Sequence, residues 1–335
     1  MTLISVKPEG ELTTEQQYDI LIIGQGAAGY SAALYAARYQ IRPIIFGAVF
    51  GGETATGGLI ENYPGYLEID GFDLMMKFQE QALKYEVPIV SENIVKLEKA
   101  GDCFEATTEG GDVYRGATVL LAVGRERRRL GLEHEDEWTG RGVSFCSVCD
   151  APLHRGNTVG VVGGGDAAVK GAVLLSKYAE KVYIIYRQSE FTRPEAANLR
   201  QMQAQENITP LLSTNVVELR GGDGLDGVRL DRAFEGSDGL ELDGIFIEIG
   251  ADPRTELPEQ LGCDLNDLNE VIVDKFGRTS VEGVYAAGDL SDGAGDLKQT
   301  ITASALGAMA ATAAYEYISE HGNRCEVHAM GYSMV

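Results

Sequence analysis

Strand-length apolar runs that end in glycine recur along this chain, and each is followed by a stretch with helical character. Tyr18 to Ile23 is the first such run. It stops at Gly24-Gln25-Gly26-Ala27-Ala28-Gly29, and Tyr30 to Tyr39 then reads as an alanine-rich helix, with Arg42 to Phe46 as the next strand. Phe72 to Tyr85 reads as an amphipathic helix. Val87 to Arg115 gives short strands split by Gly-Asp and Gly-Gly turns, and Thr118 to Gly124 is a buried strand ending in glycine. The opening unit then repeats. Val159 to Val162 is a strand, Gly163-Gly164-Gly165-Asp166-Ala167-Ala168 a turn, Val169 to Tyr178 a helix, and Lys181 to Tyr186 a second strand. Val216 to Leu230 and Glu241 to Ile249 read as further strands, Thr279 to Asp289 as a short strand ending in Gly-Asp, and Ile301 to Ile318 as a long alanine-rich helix.

Strand, G-x-G-x-x-G/A and helix in that order is the context in which backbone N–H groups at a helix start approach a pyrophosphate. Two copies imply an α/β chain with two nucleotide-binding units whose ligands meet face to face. The first copy lacks an acidic residue at the end of its second strand to hold a ribose hydroxyl; Phe46-Gly47 stands there, so it is not a standard NAD site. In the second copy that strand ends Tyr186-Arg187-Gln188, where Arg187 and Arg193 can meet a 2′-phosphate or serve as ordinary surface residues. The loop from Gly51 to Gly65 is too long for a mere connector, which marks it as functional.

Between the two copies lies Phe145-Cys146-Ser147-Val148-Cys149-Asp150. A lone Cys-x-x-Cys beside a nucleotide-binding pattern reads as an exchangeable dithiol; a zinc site needs two further ligands, and Cys103, Cys263 and Cys325 are single and scattered. Buried inert thiols are the remaining alternative. Arg125, Arg127, Arg128 and Arg129 form the one basic run, either a hinge neutralised by neighbouring acids or a docking patch for an acidic partner. Asp289 is a candidate acceptor for the polyol chain of a flavin nucleotide, with a helix cap as the plainer alternative. The tail from Arg324 to Val335 has no periodicity and reads as a frayed end, or as a flap over a cofactor.

Composition narrows the class. At 335 residues two domains are expected. Hydrophobic content of 44% and a mean hydropathy of -0.10 suit a globular protein, and no apolar run approaches the roughly 20 residues of a membrane span. The polar start lacks a secretory signal, and five cysteines, an odd number, fit a reducing, cytoplasmic setting rather than a disulfide scaffold. A net charge of -23 argues against nucleic acid as a partner. The acidic surface keeps the protein soluble, or suits a high-salt cytoplasm; full stability in dilute buffer would sink the second idea.

From about Tyr18 to His321 the chain resembles the low-molecular-weight bacterial and archaeal thioredoxin reductases. The resemblance rests on Gly24-Gln25-Gly26-Ala27-Ala28-Gly29, Glu61-Asn62-Tyr63-Pro64-Gly65, Cys146-Ser147-Val148-Cys149-Asp150, Gly163-Gly164-Gly165, Val284-Tyr285-Ala286-Ala287-Gly288-Asp289 and Gln299-Thr300-Ile301-Thr302-Ala303, and above all on their order and spacing. It implies two Rossmann-like, three-layer ββα domains, the second inserted into the first. Residues 1–122 and 253–335 would bind FAD, and residues 123–252 would carry the NAD(P)-type site and the dithiol.

It also implies a homodimer and thioredoxin, or a similar small disulfide protein, as substrate. By position, FAD would be held by Gly24, Gly26, Ala27, Ala28, Gly29, Phe46, Gly51, Gly52, Glu53, Asn62, Gly124, Gly288, Asp289, Lys298, Gln299 and Thr300. NADPH would be held by Gly163, Gly165, Ala168, Arg187 and Arg193. Cys149 would face the flavin, Cys146 would attack the partner's disulfide, and Asp150 would supply or accept the proton, a role that needs a carboxyl raised by partial burial beside the flavin; a helix or turn cap is its plainer alternative. Rotation of the inserted domain would use Leu121 to Arg129 and Gly250 to Thr255 as hinges.

Four positions depart from the family's pattern: Tyr186-Arg187-Gln188 for His-Arg-Arg, Lys170-Gly171 for paired glutamates, Glu53 for glutamine and Ala151 for glycine. The first two weaken the case for NADPH and leave NADH or ferredoxin as rival donors. A flavin-binding redox sensor that no longer turns over is the non-enzyme alternative.

Overall fold

A computed structural model describes residues 17–56, 59–295, 297–322 and 325. The chain divides into two units, residues 1–125 with 253–335 and residues 126–252. The crossings lie at Arg125/Glu126 and Asp252/Pro253.

The first unit opens with β1 (Gln17–Ile23), α1 (Ala27–Arg38) and β2 (Pro43–Phe46). There follow the four-residue α2 (Gly52–Ala55), α3 (Gly71–Leu83), β3 (Ile89–Val90), the hairpin strands β4 (Ile94–Ala100) and β5 (Cys103–Thr108), and β6 (Val113–Leu121). Alternation along β1 sets the layers. Ile20 and Ile22 join the cluster that contains Ala28, Ala32 and Met75, whereas Leu21 and Ile23 join the one that contains Phe104, Ala106 and Tyr114.

The second unit is built on β7 (Val143–Ser144), α4 (Ser147–Asp150), β8 (Thr158–Val162), α5 (Asp166–Leu175), β9 (Lys181–Tyr186), α6 (Ala196–Gln203) and β10 (Ile208–Leu212). It continues through β11 (Val216–Gly221), β12 (Leu225–Phe234), β13 (Ser237–Glu241) and β14 (Gly244–Ile247). The order β7-β14-β8-β9-β10 makes a five-stranded sheet with every pairing parallel. Val159 and Val161 pack with Ala168, Val169 and Ala172 of α5; Val162 and Ile185 pack with Val228 and Leu230 of the antiparallel sheet β11-β12-β13. Helix, parallel sheet and antiparallel sheet are the three layers of the ββα arrangement.

Back in the first unit, β15 (Val284–Ala286) and α7 (Thr300–His321) complete the fold. The sheet order is β3-β2-β1-β6-β5-β4, with β15 also paired to β6. β6 is long enough to do both: its first half runs antiparallel to β5 and its second half parallel to β15. α7 packs on α1 so closely that a Cβ on Gly307 would lie 2.0 Å from the carbonyl oxygen of Ala28.

Three sequence-based expectations shift. Both helices after the glycine turns begin earlier than the apolar pattern suggested, at Ala27 and Asp166. Gly26 and Gly165 are extended N-caps, so the residues after them already lie in the first turn. The run Val216 to Leu230 is two strands, and the run Glu241 to Ile249 begins on the last residue of β13 and otherwise holds only β14, Gly244–Ile247. Cys103 and Cys325, read as unrelated, are disulfide-bonded across 222 residues of sequence; the described part of the tail beyond α7 returns to the start of β5, a proximity that spacing cannot reveal. Cys263 is buried and free. The rest of the tail call, apart from Cys325, lies outside the described residues.

Candidate functional site

In the first unit the predicted residues converge on the end of β1. Gly24 takes the left-handed region at φ +126, and the oxygen of Ala122 occupies the space a Cβ there would need. Gly26, by contrast, faces open space: a Cβ there would meet nothing within 4 Å. That leaves an open cradle over the N–H groups at the start of α1, where Ala27, Ala28 and Gly29 offer backbone rather than side chain. Phe46 is fully buried, and its carbonyl accepts from the N–H of Gly24 at 2.8 Å. Gly51 donates its N–H to the Gln25 carbonyl at 3.0 Å, which folds the Gly51-Gly52-Glu53 turn onto the same glycine turn. Asn62 Nδ2 donates to Gln299 Oε1 at 3.1 Å, and the hydroxyls of Thr54 and Thr300 lie 3.1 Å apart, so the loop is tied to the start of α7.

The Gly288-Asp289 turn is pinned by a charge network that sequence reasoning missed. Glu270, 5% exposed, takes Arg125 Nη2 at 2.8 Å and Lys298 Nζ at 2.9 Å. Arg125 Nε also donates to the Asp289 carbonyl at 3.2 Å, and Lys298 to the Ser291 carbonyl. Burial alone would raise Glu270, yet its bonds to Lys298 and Asn266 and the charge of Arg125 hold it below the usual carboxylate range. Asp289 behaves oppositely: burial pushes it up despite Arg125 and Lys298. Arg125 and Glu270 are 145 residues apart, so no local signal announces the network. Gly124, the last predicted residue, takes φ +68 beside it.

The second unit holds the dithiol. Cys146 and Cys149 form a disulfide, S–S 2.10 Å, with Cys149 exposed and Cys146 half-buried. Cys146 is the N-cap of α4, and its Sγ accepts from the N–H of Cys149 at 3.2 Å. Asp150 is half-buried, and its Oδ2 accepts from Ser144 Oγ at 2.7 Å, a partner the sequence did not suggest. His154, in the turn after α4, is pushed below its usual value by burial, with Asp150 and Asp243 opposing.

The second glycine turn mirrors the first. Gly163 lies at φ +144 against the oxygen of Glu248, a Cβ on Gly165 would meet nothing within 4 Å, and Ala168 is buried in α5. Arg187 and Arg193 are exposed, and neither has an ion pair among the described residues. Tyr186, the last residue of β9, stacks on Phe191 at 5.4 Å with its ring against Gly164. The basic run is not a free patch. Arg125 pairs with Glu270, Arg127 with Glu248, Arg128 with Asp252 and Arg129 with Asp136.

Comparison with known proteins agrees with this geometry. Residues 18–311 match the family described as pyridine nucleotide-disulphide oxidoreductase. A thioredoxin reductase of Mycolicibacterium smegmatis is 38% identical over 312 residues, covering 92% of this chain and 99% of that protein. Among solved structures, the thioredoxin reductase of Lactococcus lactis (FR conformation) superposes with a TM-score of 0.85 at 33% identity, over 90% of this chain and 99% of that one. The thioredoxin reductase of T. acidophilum gives a TM-score of 0.83 at 34% identity, with the same two coverages. The chain belongs to the thioredoxin reductases of the pyridine nucleotide-disulphide oxidoreductase family. Its class is therefore that of an oxidoreductase acting on disulfides, and its two units have the Rossmann-like architecture expected of that family. Among the described residues no helix is long and apolar enough to cross a membrane.

Proposed function

We propose that this protein is a flavin-dependent thioredoxin-disulfide reductase. FAD is held in the first unit, a reduced pyridine nucleotide docks on the second, and the substrate is thioredoxin or a similar small disulfide protein. The observation that carries the reading is the Cys146–Cys149 disulfide with Cys146 Sγ on the Cys149 N–H and Asp150 one residue beyond.

The first unit fits FAD on three counts. The cradle at Gly26 is open to a pyrophosphate, Asp289 is a largely buried carboxylate placed to accept ribityl hydroxyls, and Asn62, Gln299 and Thr300 are joined at the start of α7. When bound, FAD supplies a carrier that takes up an electron pair and gives it to a disulfide. The chain's residues do the rest.

Two electrons and two protons convert the Cys146–Cys149 bond to a dithiol, with Cys149 Sγ on the side that receives the pair and Asp150, oriented by Ser144, holding the proton. The Cys149 N–H, which donates to Cys146 Sγ, is placed to hydrogen-bond the thiolate that forms there. The Cys146 thiolate attacks the partner's S–S bond, forming a mixed disulfide and releasing one partner thiolate. Cys149 attacks Cys146 Sγ, the second partner thiol leaves, and the Cys146–Cys149 bond is restored. The partner has gained two electrons and two protons.

NADPH is the donor the second unit supports best, because Arg187 and Arg193 are exposed and without ion pairs among the described residues, and the turn at Gly165 is open. The test is an anaerobic titration of the flavin with NADPH, NADH and reduced ferredoxin in parallel, followed by transfer to oxidised thioredoxin. Bleaching by NADPH and stoichiometric thiol formation on thioredoxin are expected. Bleaching by none of the three, with dithionite still reducing flavin and disulfide, overturns the enzyme reading in favour of a sensor.

A further inference from the structure

The residues on either side of Cys146 are held by one ion pair that the reaction itself does not use. Arg127 donates to the backbone carbonyl of Phe145 and, through Nη1, to Glu248 Oε2 at 3.2 Å. The other oxygen of Glu248 accepts from the Ser147 hydroxyl at 2.9 Å and from the Ser147 N–H at 3.4 Å. Both charges are largely withdrawn from water, the Arg127 side chain 25% exposed and that of Glu248 9%. Ser147 sits against α5, where a Cβ on Gly171 would lie 2.6 Å from its hydroxyl, so glycine at 171 is a condition of the contact.

We propose that Arg127 and Glu248 form a positioning pair for the dithiol: they fix the backbone around Cys146, and their opposite charges balance so that neither biases its ionisation. The inference rests on Cys146 being the exchanging thiol. A pair this sheltered is weakly screened, so removing one member leaves an uncompensated charge beside the thiol. An unbalanced Arg127 favours the thiolate and an unbalanced Glu248 opposes it. A role confined to holding the loop together would give both losses the same direction.

Other charged groups near the dithiol stay constant across the variants. They are Asp150 on α4, His154 in the following turn with Asp243 beside it, Asp166 and Lys170 on α5, and Arg129, which lies 4.7 Å over the Phe145 ring and pairs with Asp136.

The experiment alkylates the fully reduced holoenzyme with iodoacetamide across a pH series and reads Cys146 by mass spectrometry of its own peptide. Glu248→Gln is close to isosteric and keeps an acceptor for Ser147. It is expected to lower the midpoint by about half to one pH unit, which speeds alkylation at neutral pH by about three- to tenfold. Arg127→Gln is expected to raise the midpoint by a similar amount, and the double variant to return it to the wild-type value. If Arg127→Gln does not fold, Arg127→Lys, which keeps the charge, is expected to leave the midpoint in place. An unmoved midpoint in Glu248→Gln overturns the proposal, as do shifts of the same sign in both single variants or a midpoint displaced by Arg127→Lys. Failure of the underlying reading looks different: the wild-type dithiol would then not pass electrons to thioredoxin at all, whatever the alkylation midpoints.

Discussion

The carbonyl oxygen of Gly24 lies 1.9 Å from where a Cβ on Gly29 would be. The first and last glycines of the turn are thus packed against each other, while Gly26 between them faces open space. One motif therefore contains two kinds of glycine, one kept by the fold and one left clear for a ligand.

Gly26→Val should leave the fold intact, because φ at 26 is -84 and a Cβ there meets nothing within 4 Å. It should weaken FAD binding by at least about tenfold. Gly29→Ala should instead lower folded yield and melting temperature. The flavin-to-protein absorbance ratio and thermal melts of both variants check this, and a Gly26→Val protein that purifies fully yellow contradicts it.

Asp289 gives a pH-dependent prediction. Burial raises its carboxyl, so folding favours the protonated form. The stability it contributes is full below about pH 4 and is lost as pH rises through the raised value in the fold. Asp289→Asn should therefore make the cofactor-free protein melt higher at neutral pH while weakening FAD binding by about tenfold or more. Melts of the cofactor-free pair at acidic and neutral pH separate the two effects.

The bond between Cys103 and Cys325 joins β5 to the segment after α7 across 222 residues. Closing so long a loop restricts the unfolded chain, with a ceiling of about 5 kcal/mol by chain entropy. Cys103→Ser should lower the melting temperature of the oxidised protein by several degrees and leave that of the reduced protein nearly unchanged. A non-reducing peptide map should find 103 linked to 325 and Cys263 free.

Arg187 is exposed and has no ion pair among the described residues. Arg187→Ala should raise KM for NADPH by about tenfold, the loss of one charge-assisted bond, with kcat retained and NADH kinetics unchanged. Equal losses with both nucleotides would remove Arg187 from the phosphate.

Much of the site was legible because its parts are local. Two strand–glycine–helix units, the Cys146-x-x-Cys149-Asp150 run and the Gly288-Asp289 turn each announce themselves within a few residues. Boundaries were less legible. Ala27 and Asp166 belong to helices although the apolar pattern begins later, since an N-cap glycine starts the helix before the first periodic residue. The basic run was ambiguous because the partners of Arg125, Arg127 and Arg128, namely Glu270, Glu248 and Asp252, lie more than a hundred residues away.

Residue type and short spacing are enough to read the class of fold, the repeated glycine-turn unit and the dithiol from the chain alone. Which distant groups meet follows from the fold as a whole. Arg125 with Glu270 beneath the Asp289 turn, Arg127 with Glu248 around Cys146, and Cys103 with Cys325 all come together through sheet pairing and helix packing. Their energies depend on distance and burial, and neither is encoded in any local stretch of chain.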